Sequence, residues 1–268
     1  MNRAMRFEKW HGLGNAYLLV ERADVGSPLS PPLVERLCDP HLGIGSDGIL
    51  EVTAVEGAAA DVVIWNPDGS TAELSGNGTR IAACWLARRT GRGEVLVRVA
   101  DRDIHARIRA GGQIEMEMGP AEVAPDEGLD VDGTHVQFTP VSVGNPHAVI
   151  QREPRREDLL RLGPLVERHP RFPNRTNVQL VRVDSPRDAT VAVWERGAGE
   201  TLSSGTSACA VAAAAVAHGW CQSPVTVHLA GGDLLVDVGD DFSLRLTGSA
   251  EEICRGEVAD DLLDEISA

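Results

Sequence analysis

At 268 residues the chain is long enough for two domains of ordinary size, and 43% hydrophobic with 24% charged residues is the profile of a soluble globular protein. A formal net charge of -15 leaves no basic stripe for a nucleic-acid partner, and no apolar run reaches the length needed to cross a membrane. The first six residues carry charge with no hydrophobic segment behind them, so the chain reads as cytoplasmic, without a secretory signal.

Five cysteines, Cys38, Cys84, Cys209, Cys221 and Cys254, are an odd number whose spacing fits neither a zinc site nor a disulfide framework. They read as reduced thiols, and Cys84 and Cys209, inside alanine-rich stretches, read as core fillers. Lys9 is the only lysine. Pyridoxal phosphate enzymes hold their cofactor on a lysine, and nothing around Lys9 suggests that role. Chemistry at an amino-acid α-carbon would here proceed without that cofactor, and no metal is expected.

In chain order, β-type sequence at residues 17–21 follows a Gly14-Asn15 turn. A short helix opened by proline is predicted over 32–38 and an apolar, β-branched strand over 61–65. Residues 72–78 form a glycine-containing turn into a very apolar helix over 79–88, stopped by Gly91. Strands follow at 94–99 and 114–118. The order then recurs: strand 141–143 before Gly144-Asn145, a proline-opened helix at 164–168, strand 189–194, a turn at 200–206 and an apolar helix over 207–218 with Gly219 as its stop. Strands at 225–229 and 234–238 close the series.

The recurrence is an internal repeat at a shift of about 129 residues. It pairs Trp65-Asn66 with Trp194-Glu195 and Ser75-Gly76 with Ser204-Gly205. With small insertions, residues 33–36 answer 165–168. Helices apolar on nearly every face must be buried all round. The expected fold is therefore α/β, with two pseudo-symmetric domains, each a mostly antiparallel sheet wrapped around a central apolar helix. The expected boundaries are 1–118, with the tail 253–268 returning to that half, and 119–252. The active site is expected in a cleft between the halves.

Both helix starts carry a serine before a glycine. Serine is a favoured N-cap, and either turn alone reads as a cap. A helix start also presents unpaired N–H groups and partial positive charge, and glycine lets a ligand approach the backbone. Such an end suits a carboxylate. Its occurrence twice, at matching places, favours a ligand held by Gly76-Asn77 and Gly205-Thr206, with Ser75 and Ser204 flanking it.

The stretches His11–Asn15, Gly43–Gly48, Asn66–Ser70, Gly76–Arg80, Gly144–His147 and Glu195–Thr201 together resemble diaminopimelate epimerase across nearly the whole chain. The resemblance implies an isomerase of lysine biosynthesis that interconverts LL- and meso-diaminopimelate. One base removes the α-proton and an acid on the opposite face returns one. In that family both groups are cysteines at the two helix starts, and His147 and Glu195 resemble its auxiliary acid–base pair. Asn15, Asn66, Asn145, Asn177 and Arg196 match the residues that grip the substrate. All five are present, which implies a small-molecule partner with two amino-acid head groups. The resemblance is also compatible with a homodimer.

The decisive departure is that Ser75 and Ser204 stand where the family has cysteines. A hydroxyl is a far weaker acid than a thiol and needs a strong neighbouring base. Three accounts stand open here. The pair is an engineered replacement, or it is natural and His147 and Glu195 take over proton transfer or activate the hydroxyls, or the chain is a non-racemising relative such as a dehydratase or amino-acid binder. Ala16 also replaces an aspartate usual after Asn15, which bears on how Asn15 is held.

Overall fold

The computed structural model describes residues 5–25 and 28–267. The chain divides into two compact units, Met1–Met116 with Ser249–Ala268, and Glu117–Gly248.

The first unit opens with strands β1 (Arg6–Gly12) and β2 (Asn15–Glu21), an antiparallel hairpin. Its two-residue turn holds Leu13 and Gly14 at φ 55° and 86°, the left-handed geometry that matches strand twist. After α1 (Arg22–Val25) and α2 (Pro31–Cys38) come β3 (Ile49–Glu56), β4 (Ala59–Trp65), β5 (Thr71–Ala72), helix α3 (Gly76–Thr90), β6 (Glu94–Val99), β7 (Arg102–Ile108) and β8 (Ile114–Pro120). β2 and β3 run parallel, as do β4 and β6, and the remaining pairings are antiparallel. The returning strand Glu251–Glu257 pairs with β1. Helix α3 packs against β1, β2, β4, β6 and β7, and Gly76 through Ala87 are all buried.

The second unit holds β9 (Glu122–Val123), β10 (Glu127–Val131), β11 (Thr134–Ser142), β12 (Pro146–Gln151), α4 (Arg156–Glu167), β13 (Asn177–Ser185), β14 (Asp188–Glu195), β15 (Gly199–Thr201), α5 (Gly205–Ala217), β16 (Val225–Leu229), β17 (Gly232–Val238) and β18 (Ser243–Gly248). Its pairing repeats the first unit's: β12 with β13 and β14 with β16 are parallel, the others antiparallel. Even a register shift recurs, between Val52 and Ala54 on β3 and between Val183 and Ser185 on β13. Helix α5 is enclosed by β9, β11, β12, β13, β16, β17 and β18, with Gly205 through Ala215 buried. The α/β fold, with a mostly antiparallel sheet around a central apolar helix in each half, is the one its patterning predicts.

Three helices start well before their expected positions. Both central helices begin earlier, at the glycines rather than at 79 and 207, because the serines cap them there. The predicted 164–168 helix is the end of α4, and Pro164 lies inside it rather than opening it. Leu159, Leu162 and Val166 recur at helical spacing on a buried face. That burial outweighs the roughly 3 kcal/mol that an internal proline costs.

A buried carboxylate braces the last residues of the strand before each central helix. Glu51 accepts hydrogen bonds from Trp65 Nε1 at 3.0 Å and Arg22 Nε at 2.7 Å. Glu167 accepts from Trp194 Nε1 at 2.9 Å and from the Gly197 amide at 3.0 Å. Neither glutamate was singled out in the sequence, because each meets its tryptophan through tertiary packing. The effect is to fix the chain at Trp65-Asn66 and at Trp194-Glu195-Arg196, from which candidate site residues project.

Candidate active site

In the first unit, Ser75 is the N-cap of α3, and its Oγ accepts from the Gly78 amide at 3.0 Å. The phenol of Tyr17, on β2, lies 3.0 Å from the same Oγ. Asn77, in the first turn, donates to Asn15 Oδ1 at 3.2 Å and accepts from Arg80 Nη2 at 2.9 Å. Arg80 is fully buried and also donates to the Ser249 carbonyl. Gly12 makes room for it, since a Cβ there would come within 2.7 Å of Nη2.

Asn15 is ordered by Asp47. One carboxylate oxygen of Asp47 accepts from Asn15 Nδ2 at 3.1 Å and from the Ala16 amide at 2.7 Å. Asn15 is thus held by a carboxylate from the Gly43–Gly48 turn. Asn66 donates to Ser70 Oγ at 2.9 Å, and its backbone closes the same turn, so here it supports the turn leading to β5.

In the second unit, Ser204 caps α5. Its Oγ donates to Glu195 Oε2 at 2.9 Å and accepts from the Ser207 amide at 3.4 Å. Asn145 Nδ2 reaches Thr206 Oγ1 at 3.5 Å, and Asn145 Oδ1 accepts from His147 Nε2 at 2.8 Å. The other ring nitrogen of His147 accepts from Gln179 Nε2 at 3.0 Å, and Gln179 also donates to Ser207 Oγ at 2.9 Å. Asn177 donates to the Pro146 carbonyl and accepts from the Arg196 amide, both near 3 Å. One connected network therefore holds Asn145, His147, Thr206 and the α5 cap, and a second holds Asn177 and Arg196.

Neither Cys84 nor Cys209 stands in for a thiol at a helix start. Both are buried beyond the first turn of α3 and α5, and burial pushes the Cys84 thiol up, away from thiolate chemistry. Among the described residues, no group of three or more His, Cys, Asp or Glu side chains is placed to hold a metal ion. Nor is any helix among them long and apolar enough to cross a membrane.

The diaminopimelate epimerase family model matches residues 7–124 and 139–253, most of both units. The chain belongs to the diaminopimelate epimerase family. It is 38% identical to a diaminopimelate epimerase of Pseudomonas syringae over 95% of this chain and 99% of that protein. It is 39% identical to one from Desulfitobacterium hafniense, over 97% of this chain and all of that protein. Among solved structures, a hydroxyproline epimerase from Agrobacterium vitis matches with TM-score 0.74 at 16% identity, covering 97% of this chain and 93% of that one. A phenazine biosynthesis protein of Bacillus anthracis matches with TM-score 0.69 at 14% identity, covering 96% and 99%. These two establish a shared fold.

The resemblance to this family casts His147 as an acid–base group, and its surroundings constrain that role. It is 1% exposed, both ring nitrogens face amide groups, and its pKa is pushed down to about 3. Burial is the main cause and the Arg196 charge adds to it, against a Gln179 hydrogen bond that raises it. A ring neutral at pH 7 donates through Nε2 to Asn145 Oδ1.

The same burial has a stability consequence. Below its ordinary value of 6.5 the unfolded histidine binds a proton that the folded one refuses until about pH 3. The stability is complete above pH 6.5 and is lost as pH falls from there toward 3. Between pH 7 and 5 this amounts to about 2 kcal/mol. Urea midpoints at the two pH values should show that drop in the native protein and a drop smaller by about one proton's slope in His147→Gln.

Three site neighbours escaped the sequence reading: Tyr17, Asp47 and Gln179. Gln179 was within reach of it, because it lies two residues beyond Asn177 on β13 and shares its face. Asp47 stood in the Gly43–Gly48 stretch but was given no role, and Tyr17 gave no local signal.

Proposed function

We propose that this protein interconverts LL- and meso-diaminopimelate by proton transfer at one α-carbon, without a cofactor, as a step of lysine biosynthesis. The N–H groups at the helix starts of Gly76-Asn77 and Gly205-Thr206 receive the adjacent carboxylate. They stabilise the enolate-like charge that develops as the α-proton leaves. Ser75 and Ser204 occupy the acid–base positions, one from each unit. Asn15, Asn66, Asn145, Asn177 and Arg196 recognise the substrate, with the arginine suited to a distal carboxylate. We further propose that His147 acts by holding Asn145 rather than by carrying protons. Five cysteines that form no disulfide fit a cytoplasmic enzyme.

The observation that supports this reading most is the Ser204–Glu195 hydrogen bond at 2.9 Å. A hydroxyl is a poor base alone, and here a carboxylate is in position to take its proton. The cap explains the serine's presence but not that carboxylate, since a cap needs only the amide donor from Ser207.

Incubation with LL-diaminopimelate, followed by chiral separation, tests the assignment. The expected result is an approach to an equilibrium mixture with the meso isomer. Single-headed amino acids such as L-lysine should turn over at least about a hundredfold more slowly, because they leave the distal polar groups unpaired. Diaminopimelate bound but unchanged, or water lost from a hydroxylated amino acid instead, would overturn it in favour of a non-racemising relative.

A further inference from the structure

The two N-cap serines share backbone geometry but not side-chain partners. Ser75 sits at φ -133°, ψ 117° and Ser204 at φ -143°, ψ 117°, and each accepts one amide of its own first turn. Their side-chain partners differ in kind. Ser204 faces the carboxylate of Glu195, which only accepts when ionised, so the Ser204 proton points at Glu195. Ser75 faces the phenol of Tyr17, which carries a proton of its own at neutral pH.

Counting protons and lone pairs separates the two ends. A hydroxyl has one proton and two acceptor positions. At Ser75 the Gly78 amide fills one acceptor position, and the Tyr17 phenol can donate to the other or accept from Ser75; in the donating arrangement it fills the second position. The Ser75 proton is then left for a third group. At Ser204 the proton is already committed to a base.

Tyr17 is the only tyrosine of the chain, and it is 6% exposed. The fold makes room for its ring at Gly48, where a Cβ would come within 2.7 Å of Tyr17 Cε1 and 2.5 Å of the Trp65 carbonyl. Phenylalanine would fill the same apolar space, so packing alone does not account for the hydroxyl beside Ser75.

We propose that Tyr17 is the relay and positioning residue of the donor side. The Ser75–Tyr17 pair returns a proton to the α-carbon, and the Ser204–Glu195 pair removes one. This deepens the epimerase reading and rests on it. In the forward step the α C–H bond breaks and its proton passes to Ser204 Oγ as the Ser204 proton moves to Glu195. On the other face Ser75 gives its proton to the carbanion and receives the Tyr17 proton. Glu195 ends protonated and Tyr17 ends as phenolate, so charge is conserved. Exchange with water restores both, or the reverse reaction runs the same transfers backwards.

Tyr17→Phe keeps the ring and removes only the relay. Inversion and deuterium uptake are followed together in deuterated water, starting from each of the two diaminopimelate isomers, with the thermal midpoint as a folding check. For the isomer whose α-hydrogen faces Ser204, the variant should still take up deuterium within about threefold of the native rate. Its inversion should fall about a hundredfold with KM little changed, so exchange outruns inversion. A native protein that inverts while Tyr17→Phe inverts equally well overturns the relay and leaves the epimerase reading standing. Equal losses of exchange and inversion show a merely structural tyrosine and also overturn it. A native protein that neither exchanges nor inverts overturns both readings.

Discussion

Restoring cysteine at both positions 75 and 204 should raise the rate of α-proton exchange by about a hundredfold or more. A thiol's ordinary pKa is about 8.5, and it falls further at a helix start, so an appreciable fraction ionises near neutral pH. The serine hydroxyl depends wholly on Glu195 or Tyr17 to adjust its proton. Both sites accept the change: sulfur fills nearly the same place at an N-cap, and the surrounding elements are fixed by α3 and α5 burial rather than by the hydroxyls. Losing the serine cap costs about 1 kcal/mol at each helix, small beside the gain in rate. The measurement is exchange of the α-hydrogen in deuterated water by the double variant and the native protein at equal concentration. A double variant no faster than the native protein would mean that these two positions do not handle the α-proton.

Glu195→Gln should lower inversion by about a hundredfold to ten-thousandfold. The amide still accepts the Ser204 hydrogen bond through its oxygen, so the geometry of the cap survives. What it cannot do is take the proton. The strand end is held independently, by Glu167 on Trp194 and on the Gly197 amide, so the thermal midpoint should stay near that of the native protein. Steady-state rates from pH 6 to 9, with the midpoint alongside, check this. A variant that keeps a third of native activity would remove Glu195 from proton transfer and leave the 2.9 Å contact as a cap accessory.

The parts of this molecule legible from sequence were those set by local rules. Serine before glycine at the start of an apolar stretch announces a capped helix, and both caps are found. The repeat was legible because the same local signals occur twice in the same order, and the parallel pairs β2–β3 and β12–β13 match it. Pro164 misled because proline's local preference for a first turn was weighed above the buried face, from Leu159 on, of a helix that begins eight residues earlier, at Arg156. Tyr17 and Ser75 are 58 residues apart, and only the packing of β2 against α3, together with the space at Gly48, brings a phenol to a helix cap. Asp47 likewise reaches the Ala16 amide from 31 residues away. Contacts of that kind leave no mark in a window of neighbouring residues.

The most direct test of hydroxyl-based proton transfer uses the native protein alone. LL-diaminopimelate in deuterated water, followed by proton NMR, should lose its α-hydrogen signal as the meso isomer appears, with the product carrying deuterium at the inverted centre. Substrate that binds yet keeps its α-hydrogen indefinitely, while the cysteine double variant exchanges it, would show that the serines leave this scaffold without its chemistry.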